Sequence, residues 1–168
     1  MKRHKYVLTR FGIILLESEN GFLTGAKRVS CADQDASCPF LEKAAKALSD
    51  YETGTPSPEI IPLKPTCTPF QLSVYQEISK IPFGETASYG EIAERIGKKG
   101  ASRAVGNALN KNPVWIFIPC HRVIGKNNAL TGFAGGLEMK KMLIEHEKTY
   151  FANNSAICTA FVAAPFLT

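Results

Sequence analysis

No stretch of this 168-residue sequence is apolar for the ~20 residues that a membrane-crossing helix needs, so no helical membrane span is predicted. The basic start Met1-Lys2-Arg3-His4-Lys5 is not followed by an apolar run of signal-peptide length. The five cysteines, Cys31, Cys38, Cys67, Cys120 and Cys158, are odd in number and irregular in spacing, which argues against a disulfide framework. A reducing compartment is expected, the cytoplasm, or the nucleus in a eukaryote. There is no Cys-x-x-Cys pair. His4, Cys31, Cys38 and Cys67 lack a zinc-ligand pattern, and neither metal nor cofactor is predicted. Internal repeats and low-complexity segments are also missing. The most informative absence is local: from Arg95 to Lys126 there is no acidic residue at all.

That same interval holds Arg95, Lys98, Lys99, Arg103, Lys111, Arg122 and Lys126. Residues 1–66 are nearly balanced, with nine Lys/Arg against eight Asp/Glu; residues 67–168 carry eleven against seven. The net charge of +5 is therefore concentrated in the second part of the chain, where it suits a polyanion. Alone, such a block is equally a solvated basic face. The hydrophobic and charged fractions, 45% and 21%, are those of a globular domain.

Within the basic interval stands Pro119-Cys120-His121-Arg122-Val123, preceded by Val114-Trp115-Ile116-Phe117-Ile118, which reads as a buried strand ending at Pro119. A thiol becomes a good nucleophile only as a thiolate, and an adjacent imidazole can take its proton. An isolated Cys-His pair is more often a core cysteine beside a satisfied histidine, so the surrounding chain has to decide.

Tyr6-Val7-Leu8, Gly12–Leu16 and Phe22-Leu23, with the turn signal Glu19-Asn20-Gly21, predict an antiparallel meander. A helix is expected from Ser37, with Pro39 in its first turn, an apolar face of Phe40, Leu41, Ala44, Ala45 and Leu48, and Gly54 past its end. Five of the ten prolines, Pro56 to Pro69, mark an extended linker with a possible edge strand at Ile60-Ile61. The expected layout is an α/β (α+β) chain: lobe 1–54, linker 55–67, a mostly helical domain 68–150, and an extension 151–168 of no assigned role. Thr68-Pro69-Phe70-Gln71 and Ser88-Tyr89-Gly90-Glu91 are capping boxes. Ser102 is expected to cap a further helix from Arg103 to about Asn110, with Val105, Ala108 and Leu109 inward. The last two helices form a helix-turn-helix in which Ala104 and Gly106 keep one face slim. Gly125–Gly132 is a polar loop. Gly132, Gly135 and Gly136 flank Phe133-Ala134 and would allow close approach of a flat ligand; an ordinary mobile loop fits as well. Leu137 opens a last helix reaching about Glu147.

Together these motifs resemble the O6-alkylguanine-DNA alkyltransferases, also called methylated-DNA–protein-cysteine methyltransferases, from about Thr68 to Glu147. The residues that carry the likeness are Thr68–Gln71, Ser88–Ala93, Arg103–Ala108, Asn112-Pro113-Val114, Ile118–Ile124 and Gly135-Gly136-Leu137. The resemblance implies a small RNase H-like N-terminal lobe and a winged-helix-like helix-turn-helix domain. It implies stoichiometric, irreversible transfer of an alkyl group from O6-alkylguanine in duplex DNA, with O4-alkylthymine as a second candidate, to the protein's own Cys120, by a monomer and without a membrane. His121 would act as base through a water, Glu147 would orient the imidazole, Tyr89 would supply a proton to the departing guanine, and Asn112 would brace the turn. Arg103 would fill the hole left by the flipped base, with Ser102, Ala104, Gly106, Lys99 and Arg122 at the DNA. Tyr89, Phe133, Ala134 and Gly135 would line the pocket. The imidazole–carboxylate pair is expected to hold positive charge beside the thiol and lower its pKa. Two other readings stay open on residues alone: a Cys-His hydrolase, and a non-catalytic helix-turn-helix module.

Overall fold

The computed structural model describes residues 1–55, 57, 59–153 and 166. The described residues fall into two units: residues up to 66, 113–117 and 166, and residues 67–112 and 118–153.

In the first unit, β1 (Lys2–Thr9), β2 (Gly12–Glu19) and β3 (Phe22–Val29) form an antiparallel sheet in the order β1-β2-β3. The expected meander is present. Its tight second turn has Asn20 at φ 52° and Gly21 at φ 82°, the left-handed pair that matches strand twist in a two-residue hairpin. Ile14, Leu16, Leu23 and Ala26 are buried from the sheet. Helix α1 (Pro39–Glu52) buries Leu41, Ala44, Ala47, Leu48 and Tyr51 in the same unit. Each fully buried leucine or isoleucine contributes about 1.5–3 kcal/mol by leaving water.

Two expectations need correction. Edge pairing falls at Leu63, not at Ile60-Ile61: the Leu23 N–H donates to Pro62 O at 2.9 Å and the Lys64 N–H donates to Leu23 O at 2.9 Å. Pro62 has no N–H but its carbonyl serves, while Ile60 lies exposed. The stretch from Val114 to Ile118 is not a strand. Val114 bridges Ala26, and Ile116 turns left-handed at φ 73°, which breaks any extended run between Pro113 and Pro119.

The second unit contains α2 (Pro69–Ile78), β4 (Ala87–Ser88), α3 (Tyr89–Arg95), α4 (Ser102–Asn110), β5 (Val123–Ile124) and α5 (Leu137–Asn153). Both capping boxes are formed: Thr68 with Gln71, and Ser88 with Glu91. Helix α3 ends in a Schellman arrangement, with Gly97 at φ 71° and the Lys98 N–H donating to Ala93 O at 2.8 Å. Helix α4 follows after one short turn. Ala101, not Ser102, is its N-cap: the Val105 N–H reaches Ala101 O at 2.9 Å, so Ser102 already lies in the first turn and makes no side-chain cap. Val105, Ala108 and Leu109 are buried as expected, and the Tyr75 hydroxyl donates to Ala108 O at 3.0 Å, tying α2 to α4. Strands β4 and β5 pair in parallel over two residues each. Helix α5 extends past its expected end at Glu147 and takes in Phe151. The tail beyond Asn153, apart from Phe166, lies outside the described residues. Among the described residues no helix is long and apolar enough to cross a membrane.

Candidate active site

Cys120, His121 and Arg122 form one 3-10 turn directly after Pro119, closed by the Arg122 N–H donating to Pro119 O at 3.0 Å. The turn places three consecutive side chains in the interior of the second unit. Cys120 is buried, His121 is 0% exposed and Arg122 is 4% exposed.

Asn112 approaches from just beyond α4. Its Nδ2 donates to Ile118 O at 3.0 Å and to Sγ of Cys120 at 3.0 Å. The Asn112 amide thus touches the thiol itself. Burial pushes the Cys120 thiol up to about 11, against the opposing pull of the Asn112 hydrogen bond, the Lys140 charge and two backbone N–H groups. The resting thiol is therefore protonated at neutral pH. This corrects the expectation of a lowered pKa: desolvation disfavours the anion more than the neighbouring donors favour it.

Glu147, one turn and a half before the end of α5, is held on both carboxylate oxygens. Its Oε1 accepts from His121 Nε2 at 2.6 Å and from Arg122 Nη2 at 3.1 Å; its Oε2 accepts from Arg122 Nε at 2.8 Å and from the Gly84 N–H at 3.0 Å. Gly84 sits at φ 82°, and a Cβ there would come within 2.6 Å of Phe151, so only glycine presents its N–H in this way. Burial works against ionisation of Glu147, but Arg122 first and His121 second outweigh it and hold the carboxyl well below the usual carboxylate range. An ionised carboxylate can only accept, so Nε2 of His121 carries its hydrogen and Nδ1 carries the lone pair. That Nδ1 is buried and has no hydrogen-bond partner among the described residues. Burial lowers the His121 pKa; Glu147 pulls it up, while Arg122 and Lys140 lower it further. The net direction is down, and the imidazole rests neutral.

Arg122 does not stand where the basic block suggested. Expected at the DNA, it is instead buried against Glu147, and its Nη1 donates to Ile81 O at 2.7 Å. A guanidinium inserted beside a buried carboxylate is held by that charge and cannot also face solvent. Lys99, Arg103 and Ala104 are exposed on the helix-turn-helix, Ser102 is half-buried, and Gly106 lies against the Tyr89 ring, 3.6 Å from where its Cβ would be.

Tyr89, first residue of α3, directs its hydroxyl to Thr131 O at 2.8 Å and to Gly132 O at 3.2 Å. This brings the loop that continues into half-buried Phe133, exposed Ala134 and half-buried Gly135 next to the phenol. Lys140, which sequence reasoning missed, completes the group. Its Nζ donates to Thr131 O at 2.8 Å and to Tyr89 Oη at 3.3 Å, and lies 5.5 Å from the ring centroid. Burial pushes its ammonium down to about 8. A signal was available: Lys140 is seven residues before Glu147, hence on the same face of α5. No three His, Cys, Asp or Glu side chains come together as a metal site among the described residues. The arrangement can deprotonate a buried thiol through a neutral imidazole and can offer a phenolic proton nearby.

Residues 69–149 match the family described as 6-O-methylguanine DNA methyltransferase, DNA binding domain. A methylated-DNA–protein-cysteine methyltransferase of Methanosarcina acetivorans is 43% identical over 141 residues, covering 80% of this chain and 90% of that protein. One of Mycobacterium leprae is 40% identical over 143 residues, covering 82% and 87%. Among solved structures, the O6-methylguanine methyltransferase of Mycobacterium tuberculosis superposes with a TM-score of 0.81 at 35% identity, over 89% of this chain and 94% of that one. The M. tuberculosis OGT in complex with DNA gives 0.79 at 36% identity, over 88% and 93%. With its reactive-site residues gathered in this geometry, the chain belongs to the methylated-DNA–protein-cysteine methyltransferase family.

Proposed function

We propose that this protein repairs DNA by direct reversal, moving the alkyl group of O6-alkylguanine in duplex DNA onto Sγ of Cys120 in a single turnover. One observation carries the assignment of roles: a buried thiol held by Asn112, beside a neutral imidazole whose Nδ1 is available while Glu147 holds Nε2–H. The proton of Sγ passes to His121 by way of a bridging water. The thiolate attacks the alkyl carbon, the carbon–O6 bond breaks, and its electron pair leaves with the purine, which takes a proton from Tyr89. The ammonium of Lys140 beside Tyr89 Oη stabilises the phenolate that develops. The product is a thioether, which water does not hydrolyse at neutral pH, so each molecule acts once.

A thiolate cannot reach O6 in line within a stacked duplex, so the nucleotide is flipped out. The face of α4 that carries Arg103, Ala104 and half-buried Gly106 lies in the minor groove, Lys99 and Ser102 face phosphates, and Phe133, Ala134 and Gly135 line the base pocket. The three-stranded sheet with α1 (lobe 1–54) is RNase H-like, residues 55–67 are a linker, and the domain over 68–150 is winged-helix-like. The protein works as a cytoplasmic monomer. O4-alkylthymine is a second candidate substrate.

Intact mass spectrometry after mixing with O6-methylguanine duplex tests the reading. One added methyl per chain, mapped to Cys120 and absent in Cys120→Ala, is expected. Repeated turnover, or methylation elsewhere, overturns it.

A further inference from the structure

Arg122 is the buried charge that the reaction scheme above does not use. Its guanidinium takes Glu147 through Nε at 2.8 Å and Nη2 at 3.1 Å, one nitrogen to each carboxylate oxygen, and anchors Nη1 on Ile81 O at 2.7 Å. The planar fork fixes the carboxylate plane, and with it the direction from which Oε1 meets His121. We propose that Arg122 is a positioning residue for the base: by occupying both oxygens of Glu147 it makes the carboxylate hold His121 as the Nε2–H tautomer and keeps Nδ1 as the proton acceptor. This rests on the function proposed above.

The charge argument has a definite sign. The charged groups acting on the imidazole are Arg122 on its own turn and Glu147 and Lys140 on α5; the charge of Cys120 acts in turn on Tyr75 of α2 and Tyr89 of α3. A lone Glu147 would draw a full positive charge onto His121. Burial is the first influence that keeps the imidazole neutral, and Arg122, paired with that carboxylate, adds to it and offsets the pull of Glu147. Removing Arg122 should therefore raise the His121 pKa and protonate the base before the thiol can use it.

Three measurements test this. In wild-type protein without DNA, nitrogen-15 NMR of His121 should show the neutral Nε2–H form at pH 7; an imidazolium or the Nδ1–H tautomer there overturns the proposal with no mutant needed. In Arg122→Met the His121 titration should move up by about one pH unit or more, and the acid limb of the single-turnover rate should move with it. An unmoved titration in a folded Arg122→Met protein means that Arg122 only supports the fold, and sinks the idea. Should that variant fail to fold, Arg122→Lys keeps the charge but not the fork: transfer should slow by about tenfold while the His121 titration stays low, and a wild-type rate overturns the claim. If wild-type protein accepts no alkyl group at all, the function falls, while the DNA-free titrations still judge Arg122.

Discussion

Asn112 donates to Sγ of Cys120 and to Ile118 O, each at 3.0 Å, so one amide both holds the loop before Cys120 and touches its thiol. The amide stabilises the thiolate without being able to protonate it. Asn112→Ala should slow transfer about tenfold or more, because a hydrogen bond to a charged group is worth about 1.5–3 kcal/mol. Asn112→Asp should be slower still, since a second anion would face the thiolate. Single-turnover rates on duplex substrate check both, and equal rates for Asn112→Asp and wild type would remove Asn112 from the site.

Tyr89 and Lys140 share the Thr131 carbonyl, which makes their effects interdependent. Tyr89→Phe and Lys140→Met should each slow transfer, and the double variant should lose less than the product of the single losses, because neighbours in one hydrogen-bond network are not additive. A double-mutant cycle in single-turnover kinetics measures this. Strict additivity would mean that the phenol and the ammonium act separately.

Acid should weaken the fold in two stages. His121 has a lowered pKa in the folded protein, so below its ordinary value of about 6.5 the unfolded chain binds more protons and stability falls. Glu147 also has a lowered pKa, and its contribution, present above about 4.3, is lost as pH falls further towards the depressed value. Urea unfolding across this range should show stability declining from about pH 6.5 downward. In Glu147→Gln the second stage should flatten; an unchanged acid limb would assign it to other carboxylates.

Arg103 is exposed on the first turn of α4, beside Ala104 and near the Gly106–Tyr89 contact. An inserted side chain offsets part of the few kcal/mol that flipping costs. Arg103→Ala should slow transfer from saturating duplex far more than transfer from free O6-benzylguanine, which needs no flipping. Equal effects on the two substrates would make Arg103 a phosphate contact.

Duplex affinity should fall steeply with salt and vary little with undamaged sequence, since Lys98, Lys99 and Arg103 stand exposed on the helix-turn-helix. Arg122→Lys should leave the salt slope unchanged, because residue 122 is buried. A marked preference for one undamaged sequence would favour a regulator.

What the sequence determined by itself was local. The two capping boxes, Pro39 at the start of α1, Asn20-Gly21 in the hairpin and Gly97 after α3 each act through neighbouring backbone, so their signatures were legible without the fold. Cys120, His121 and Glu147 were named through a motif order that resembles a family. Only tertiary structure decided the rest. Arg122 looked like part of a basic surface until Glu147, twenty-five residues later, was seen to hold it inside. Lys140 looked like one more lysine on a helix until Thr131 and Tyr89 closed on it. The stretch from Val114 to Ile118 had strand composition, yet a left-handed Ile116 interrupted it and left isolated bridging, Val114 to Ala26, in place of a strand. Even the direction of the thiol's pKa depended on burial, which outweighs every donor around Cys120. Charge pairing and desolvation are set by which distant groups meet, and that meeting is a property of the packed chain rather than of any segment.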